Sequence, residues 1–529
     1  ESEALPHAAL DIGRRFGAAE TTGVRINLLH REGETAIDNQ DRTLTAASVG
    51  TDYRGERLRL SADLGYQDHR IDAPRPSVTP LGAVPGPAAA DANFAQPWTY
   101  TDEAQLFGVV RAEYDLSPTV TVWAAAGGRD GEERNVLSNP SAFADGATTA
   151  YRFDNVREDD IVSADVGLRG DFRTGAVGHT LTLSASAIAI ESNNAYAFSS
   201  FTGFAGDLYD PQDVAPPTPD FFVGGDLSSP GKTEDTRNRS LALADMVSLL
   251  DDRLLLTLGL RYQEIETKSY DYDTGAELSR YDESRVTPIA GAVLRFGEQV
   301  SVYGNYAEGL IPGETAPATS GGVPIVNAGE TFDPYQAEQY ELGVKYDGGT
   351  LGASAALFTL TRPSSLVAGN VFTADGEQRN RGLELSAFGE PRSGLRVLGG
   401  LTWLDAELTE TQGGVNQGND AVGVPELQAN LNLEWDVPAV PGLTLDGRLI
   451  YTDEQYADAA NTVSVDAWTR LDLGVRYDTR LFARSATLRA RLENVTGEDY
   501  WASVGGFPGS NYLVLGAPRT LLVSAAVDL

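Results

Sequence analysis

The stretch Leu254-Leu-Leu-Thr-Leu-Gly-Leu-Arg-Tyr-Gln263 carries the pattern from which the fold is read. Leu254, Leu256, Leu258, Leu260 and Tyr262 take every second position, and Thr257, Gly259, Arg261 and Gln263 fill the positions between. Period two sends alternate side chains to opposite faces of a strand, whereas a helix would need a period of 3.6. The same alternation recurs on both sides of this stretch. Leu58, Leu60, Ala62, Leu64 and Tyr66 alternate with Arg59, Ser61, Asp63, Gly65 and Gln67. Leu471, Leu473, Val475 and Tyr477 alternate with Arg470, Asp472, Gly474 and Arg476, and Leu488, Ala490 and Leu492 with Arg489, Arg491 and Glu493.

Twenty-one segments of this kind run from 7–16 to 519–528, among them 56–67, 159–172, 179–191, 284–296 and 379–389. Their connections alternate in length. Short ones fall at Arg54-Gly55, Ser117-Pro118, Asp251-Asp252, 297–298 and Gly348-Gly349; long ones at 68–103, 131–158, 192–236, 310–335 and 495–518. Short turns at one end and long loops at the other mark a transmembrane β-barrel, and apolar faces that end in tyrosine mark its interface with lipid headgroups. The expected fold is all-β: an antiparallel barrel spanning 1–529, with no globular domain and almost no helix. Leu58, Leu60, Leu64, Leu256, Leu258, Leu473 and Leu488 are expected to face lipid. Arg59, Asp63, Arg261, Arg476 and Arg489 are expected to face the lumen. Single-chain bacterial barrels close with an even strand count. Twenty-one therefore implies a 22-stranded barrel whose first strand lies upstream of Glu1.

Composition narrows the function. The chain has 529 residues, with 40 basic against 76 acidic side chains, a formal charge of −36. Nucleic acid demands a basic footprint and is excluded as a partner. Cysteine is absent, so thiolate chemistry is excluded with it. The four histidines, His7, His30, His69 and His179, have no partners at metal-ligand spacing. No nucleophile elbow or phosphate loop occurs, and the chain does not read as an enzyme.

A set of motifs then falls in order: Asp11-Ile-Gly-Arg-Arg-Phe-Gly17, Gly23-Val-Arg-Ile-Asn27, Gln96-Pro-Trp-Thr-Tyr100, Val302-Tyr-Gly-Asn-Tyr-Ala-Glu-Gly-Leu310, Glu338-Gln-Tyr-Glu-Leu-Gly-Val-Lys345, Arg379-Asn-Arg-Gly-Leu-Glu384, Glu493-Asn-Val-Thr-Gly-Glu-Asp-Tyr-Trp501 and Pro518-Arg-Thr520. Together they resemble TonB-dependent siderophore receptors of the hydroxamate branch, which takes up ferrichrome and ferrioxamine. The resemblance implies a cell outer-membrane location in a Gram-negative bacterium, with lipid, lipopolysaccharide and the barrel-assembly machinery as surroundings. It also implies a ferric siderophore as the transported ligand, no covalently bound cofactor, and energy from TonB through an N-terminal plug. Neither plug nor coupling segment is recognisable in these residues. The chain alone is therefore expected to form an open pore, with flexible acidic loops rather than packed segments between strands. The other functions open to such a barrel are a passive porin, a structural or adhesive barrel, and a TonB-dependent receptor for cobalamin or heme.

In the resembled family, neutral hydroxamate complexes are held largely by aromatic side chains at the extracellular mouth. The candidates here are Trp98 and Tyr100, Tyr151 and Phe153, Tyr196 and Phe198, Tyr270 and Tyr272, and Trp501 with Phe507. A ferric catecholate would instead favour arginine and lysine in the cavity.

Overall fold

The computed structural model describes residues 4–481, 483–506 and 510–528. Its main sheet has 22 strands, one of which, Phe222–Gly224, is only three residues long. The remaining twenty-one form the wall. Each pairs antiparallel with the next in sequence, from His7–Phe16 and Thr22–Glu34 through to Arg484–Glu493 and Thr520–Val527. Every one coincides with a segment read from period two. Among the described residues only two single-turn 3-10 segments interrupt them, Ala18–Glu20 and Gln412–Gly414.

His7–Phe16 and Thr520–Val527 are the edges of this sheet, and each has one ladder partner among the described residues. Being first and last of an odd series, they run in the same direction.

The alternation survives in the faces. Leu60, Leu64, Leu258, Leu473 and Leu488 are exposed on the outer surface, Leu258 at 60%, and Leu58 and Leu256 lie half-buried on that face. The opposite face is a polar lattice. Arg59 pairs with Glu113 at 3.0 Å and Asp115 at 2.7 Å, and Arg261 donates to Ser240 Oγ at 2.9 Å. Arg476 reaches Glu434 at 3.4 Å and Thr444 Oγ1 at 3.2 Å. Asp63 and Arg489 share this face by register.

The strands are longer than their period-two stretches. Phe153–Thr174, Val177–Phe198 and Val371–Arg392 each run 22 residues, about twice the 9–11 that a tilted strand needs to cross a membrane. The extra length lies at the end opposite the short turns. There the outer face carries ion pairs in place of leucine: Arg70–Asp72 at 2.7 Å, Arg239–Glu264 at 3.0 Å, Lys268–Glu266 at 2.8 Å and Arg381–Asp405 at 2.6 Å. At these positions the outer face is charged rather than apolar, so the leucine alternation stops while the backbone ladder continues.

Short turns close the other end. Gly55 N donates to Leu58 O and Gly348 N to Leu351 O, both at 2.8 Å. Gly349 adopts φ 80°, a left-handed conformation that glycine reaches without steric cost.

The long connections depart from the expected flexible loops. Residues from 73–99, 138–152, 199–230, 453–467 and 494–519 share one hydrophobic core containing Val78, Phe94, Ala142, Leu208, Val465 and Leu513. Val78, Leu208 and Leu513 are fully buried. The core is pinned by polar contacts across the cap. Val78 bridges to Leu513, and Arg75 Nη2 donates to the carbonyls of Leu515 at 2.8 Å and Gly516 at 2.7 Å.

Candidate ligand-binding site at the mouth

Phe153, Phe198 and Phe222 stand directly across from one another on three paired strands. Phe153 stacks on Phe198 with centroids 4.6 Å apart, and Phe222 lies 6.0 Å beyond. Tyr196, two residues before Phe198, shares its face and meets Tyr272 at 5.0 Å. Its ladder partner is Gly224, where any Cβ would sit 2.6 Å from the tyrosine ring, so glycine is what lets the ring lie there. Tyr151 packs edge-on against Phe198 at 5.8 Å and Phe201 at 5.2 Å, and Phe221 extends the patch from Phe201 at 5.3 Å.

The direction of this patch follows from the ladder. The pairing of Phe153–Thr174 with Val177–Phe198 contains no register shift. Phe153, Tyr196 and Phe198 therefore share the face of Ser163, Asp165 and Ser186, which is the lumenal one. A small polar network supports them: Asn155 Nδ2 donates to Asn194 Oδ1 at 2.6 Å, and Asn194 Nδ2 to Tyr272 Oη at 3.3 Å. Phe201, Phe221 and Phe222 remain exposed, Phe221 at 61%. Contiguous exposed aromatic surface of this kind is a hallmark of ligand and partner sites.

Three of the aromatic pairs singled out in the sequence contribute to this cluster: Tyr151 with Phe153, Tyr196 with Phe198, and Tyr272 from the third. The others lie elsewhere. Tyr270, by alternation along Leu254–Tyr270, falls on the outward face with Tyr262 and Lys268. Tyr100, in register with Asp72, also faces outward, under the guanidinium of Arg70 at 4.3 Å. Trp98 is fixed to the cap, donating from Nε1 to Val214 O at 2.8 Å beneath Arg152. Trp501 is buried in the cap core and donates to Pro85 O at 2.8 Å. Phe507 lies outside the described residues. Phe201, Phe221 and Phe222 escaped the sequence reading because they do not follow the i, i+2 spacing; the Phe221-Phe222 doublet was the available signal.

Among the described residues no group of three or more His, Asp or Glu side chains is placed to hold a metal ion. The patch itself can bind an apolar or aromatic ligand surface and orient it with a few phenol and amide groups. No helix of the described residues is long and apolar enough to cross a membrane. The crossing is made by strands.

Comparison with known proteins agrees with this architecture. The family model described as TonB dependent receptor-like, beta-barrel, matches residues 32–495. The ferrichrome receptor FcuA of Yersinia enterocolitica is 41% identical over 525 residues, covering 98% of this chain and 68% of that protein. The ferrioxamine receptor of the same organism is 25% identical over 438 residues, covering 79% and 56%. The chain spans about half to two thirds of the length of these curated relatives. The crystal structure of BauA, the ferric preacinetobactin receptor from Acinetobacter baumannii, superposes with a TM-score of 0.91 at 34% identity, covering 100% of this chain and 78% of that one. A β-barrel whose sequence matches the family model over most of its length, this chain belongs to the TonB dependent receptor-like family of outer-membrane barrels.

Proposed function

We propose that this chain is the barrel of a receptor that takes up ferric siderophores of the hydroxamate type, driven by TonB acting on a segment that fills the lumen. The observation that carries the reading is the lumen-facing aromatic patch around Tyr196 and Phe198, over whose rings no arginine or lysine is stacked among the described residues. Such a surface suits a neutral, largely apolar complex better than a polyanionic one. The names of the ferrichrome and ferrioxamine receptors among its relatives point the same way. The parallel sheet edges support a further strand between them, since antiparallel closure needs an even count, and the relatives' greater length leaves room for a plug.

The test is ligand binding to the full-length receptor, followed by intrinsic fluorescence with ferrichrome, ferrioxamine B and ferric preacinetobactin as competing ligands. Phe198→Ala with Phe222→Ala should weaken hydroxamate binding about tenfold or more, the loss of roughly 1.4 kcal/mol or more of aromatic contact. A receptor that ignores both hydroxamates and binds another ferric chelate unaffected by these substitutions would sink the reading.

A further inference from the structure

Many lumenal arginines are paired, as Arg15 is with Asp52 at 2.7 Å and Arg396 with Asp436 at 2.6 Å. Near the mouth the pattern breaks. Leu44 stands across from Arg31 on one side and His69 on the other, and Arg42 lies one inward-facing step above, diagonal to both. All three point inward, in the column of Asn27 and Ser48. Diagonal neighbours on a sheet face are about 7–8 Å apart, within reach of arginine side chains. Nε of Arg31, Nε of Arg42 and Nε2 of His69 are shielded from solvent and have no hydrogen-bond partner among the described residues. Neither arginine has a side-chain ion pair among the described residues. The charged groups that bear on His69 are Arg42, Glu103 across the ladder and Asp68 beside it; the one that bears on Arg42 is Arg31.

Buried donors left unmet are rare in folded proteins, and two like charges turned on one another are costly. Both costs are offset when the two arginine side chains part to admit a planar anion, since the guanidinium fork matches a carboxylate in geometry. We propose that Arg31, Arg42 and His69 form a carboxylate-binding site on the inner wall, just below the cap. The carboxylate comes either from a soluble ligand passing the mouth or from an acidic side chain of a segment occupying the lumen. The site stands independently of the siderophore class proposed above.

The test reads the imidazole of His69 by NMR in the refolded 529-residue chain, assigned by His69→Gln among only four histidines. Citrate is the probe, added at constant ionic strength. A bound carboxylate beside the ring should raise its titration midpoint by about one pH unit. Arg31→Gln with Arg42→Gln should abolish that response while the barrel keeps its heat-modifiable electrophoretic mobility. A midpoint that citrate leaves unmoved, or moves equally in the double variant, overturns the proposal. The full-length receptor distinguishes the sources. A midpoint already raised without citrate identifies a carboxylate of the polypeptide, and one that rises only with citrate identifies a soluble ligand. A full-length midpoint neither raised nor responsive overturns it as well.

Discussion

Along Leu58–Asp72 the chain offers Leu60, Leu64 and Tyr66 to lipid, yet residues 73–99, which follow directly, bury Val78, Ala88 and Phe94 against four other connections. In the wall, each strand satisfies its backbone groups with its neighbours in sequence, and lipid fixes which face is apolar. In the cap, contacts join residues hundreds of positions apart, as when Trp501 donates to Pro85 O. The wall is held by local order repeated many times. The cap is held by a small core of the kind found in soluble proteins, standing above the membrane.

If that contrast is right, the two regions should fail separately. Leu513 is fully buried among the five connections. Leu513→Ala should cost the cap about 2–5 kcal/mol, the range for truncating a buried leucine. Hydrogen exchange should show lost protection in 73–99 and 494–519, with the strand ladders unchanged. Loss of protection through the whole wall would show instead that cap and barrel unfold as one unit.

The wall has its own asymmetry. Leu258→Arg, on the lipid face, should destabilise the barrel by about 2–4 kcal/mol, whereas Thr257→Arg, one residue away on the lumenal face, should cost little. Reversible unfolding in a lipid bilayer measures both. Equal costs would mean that the alternation does not separate lipid from lumen.

The same contrast explains what could be read from the sequence. All twenty-one wall strands were legible because lipid on one side and a polar lumen on the other impose period two residue by residue. Some upper ends were not: Arg70 and Asp72 lie beyond the 56–67 stretch, where charged residues replace leucine on the outer face and periodicity carries no information. The inward site was half legible. Tyr196 and Phe198 were visible as an i, i+2 pair, but their convergence with Phe222 and Tyr272 depends on how 199–230 folds back. Tyr100 shared the same local signal and faces outward, because spacing alone cannot say which face is the lumen above the lipid. Trp501 and Trp98 were aromatic for the sake of the cap.

A smaller effect should separate the cap's packing from its polar fastenings. Trp98→Phe keeps a ring against Phe204 but removes the Nε1–H that bonds Val214 O. One lost hydrogen bond should cost about 1 kcal/mol. Limited proteolysis within 199–230 should quicken about fivefold, matching that cost, while cleavage in 453–467 stays as it was. Equal acceleration in both would mean that the cap loosens as a single body.

The weakest fastening is expected to respond to pH. Asp458, in the cap connection 453–467, accepts hydrogen bonds from Thr462 N at 2.9 Å, Thr462 Oγ1 at 2.7 Å and Val463 N at 2.8 Å. Burial presses its carboxyl upward, but these bonds outweigh it and hold the group below the usual carboxylate range. A depressed carboxyl stabilises the fold fully above its unfolded value, near 4, and the contribution is lost as pH falls through the folded value. Corrected for intrinsic exchange rates, the Thr462 and Val463 amides should therefore hold steady protection at neutral pH and lose part of it below about pH 4. Asp458→Asn should flatten that dependence, since an amide does not titrate. The paired wall amides of Leu449–Thr452 and Trp468–Leu471 serve as the control, because their partners are backbone carbonyls, which do not titrate in this range. Parallel loss in both regions would place the acid response in the barrel as a whole rather than in the cap.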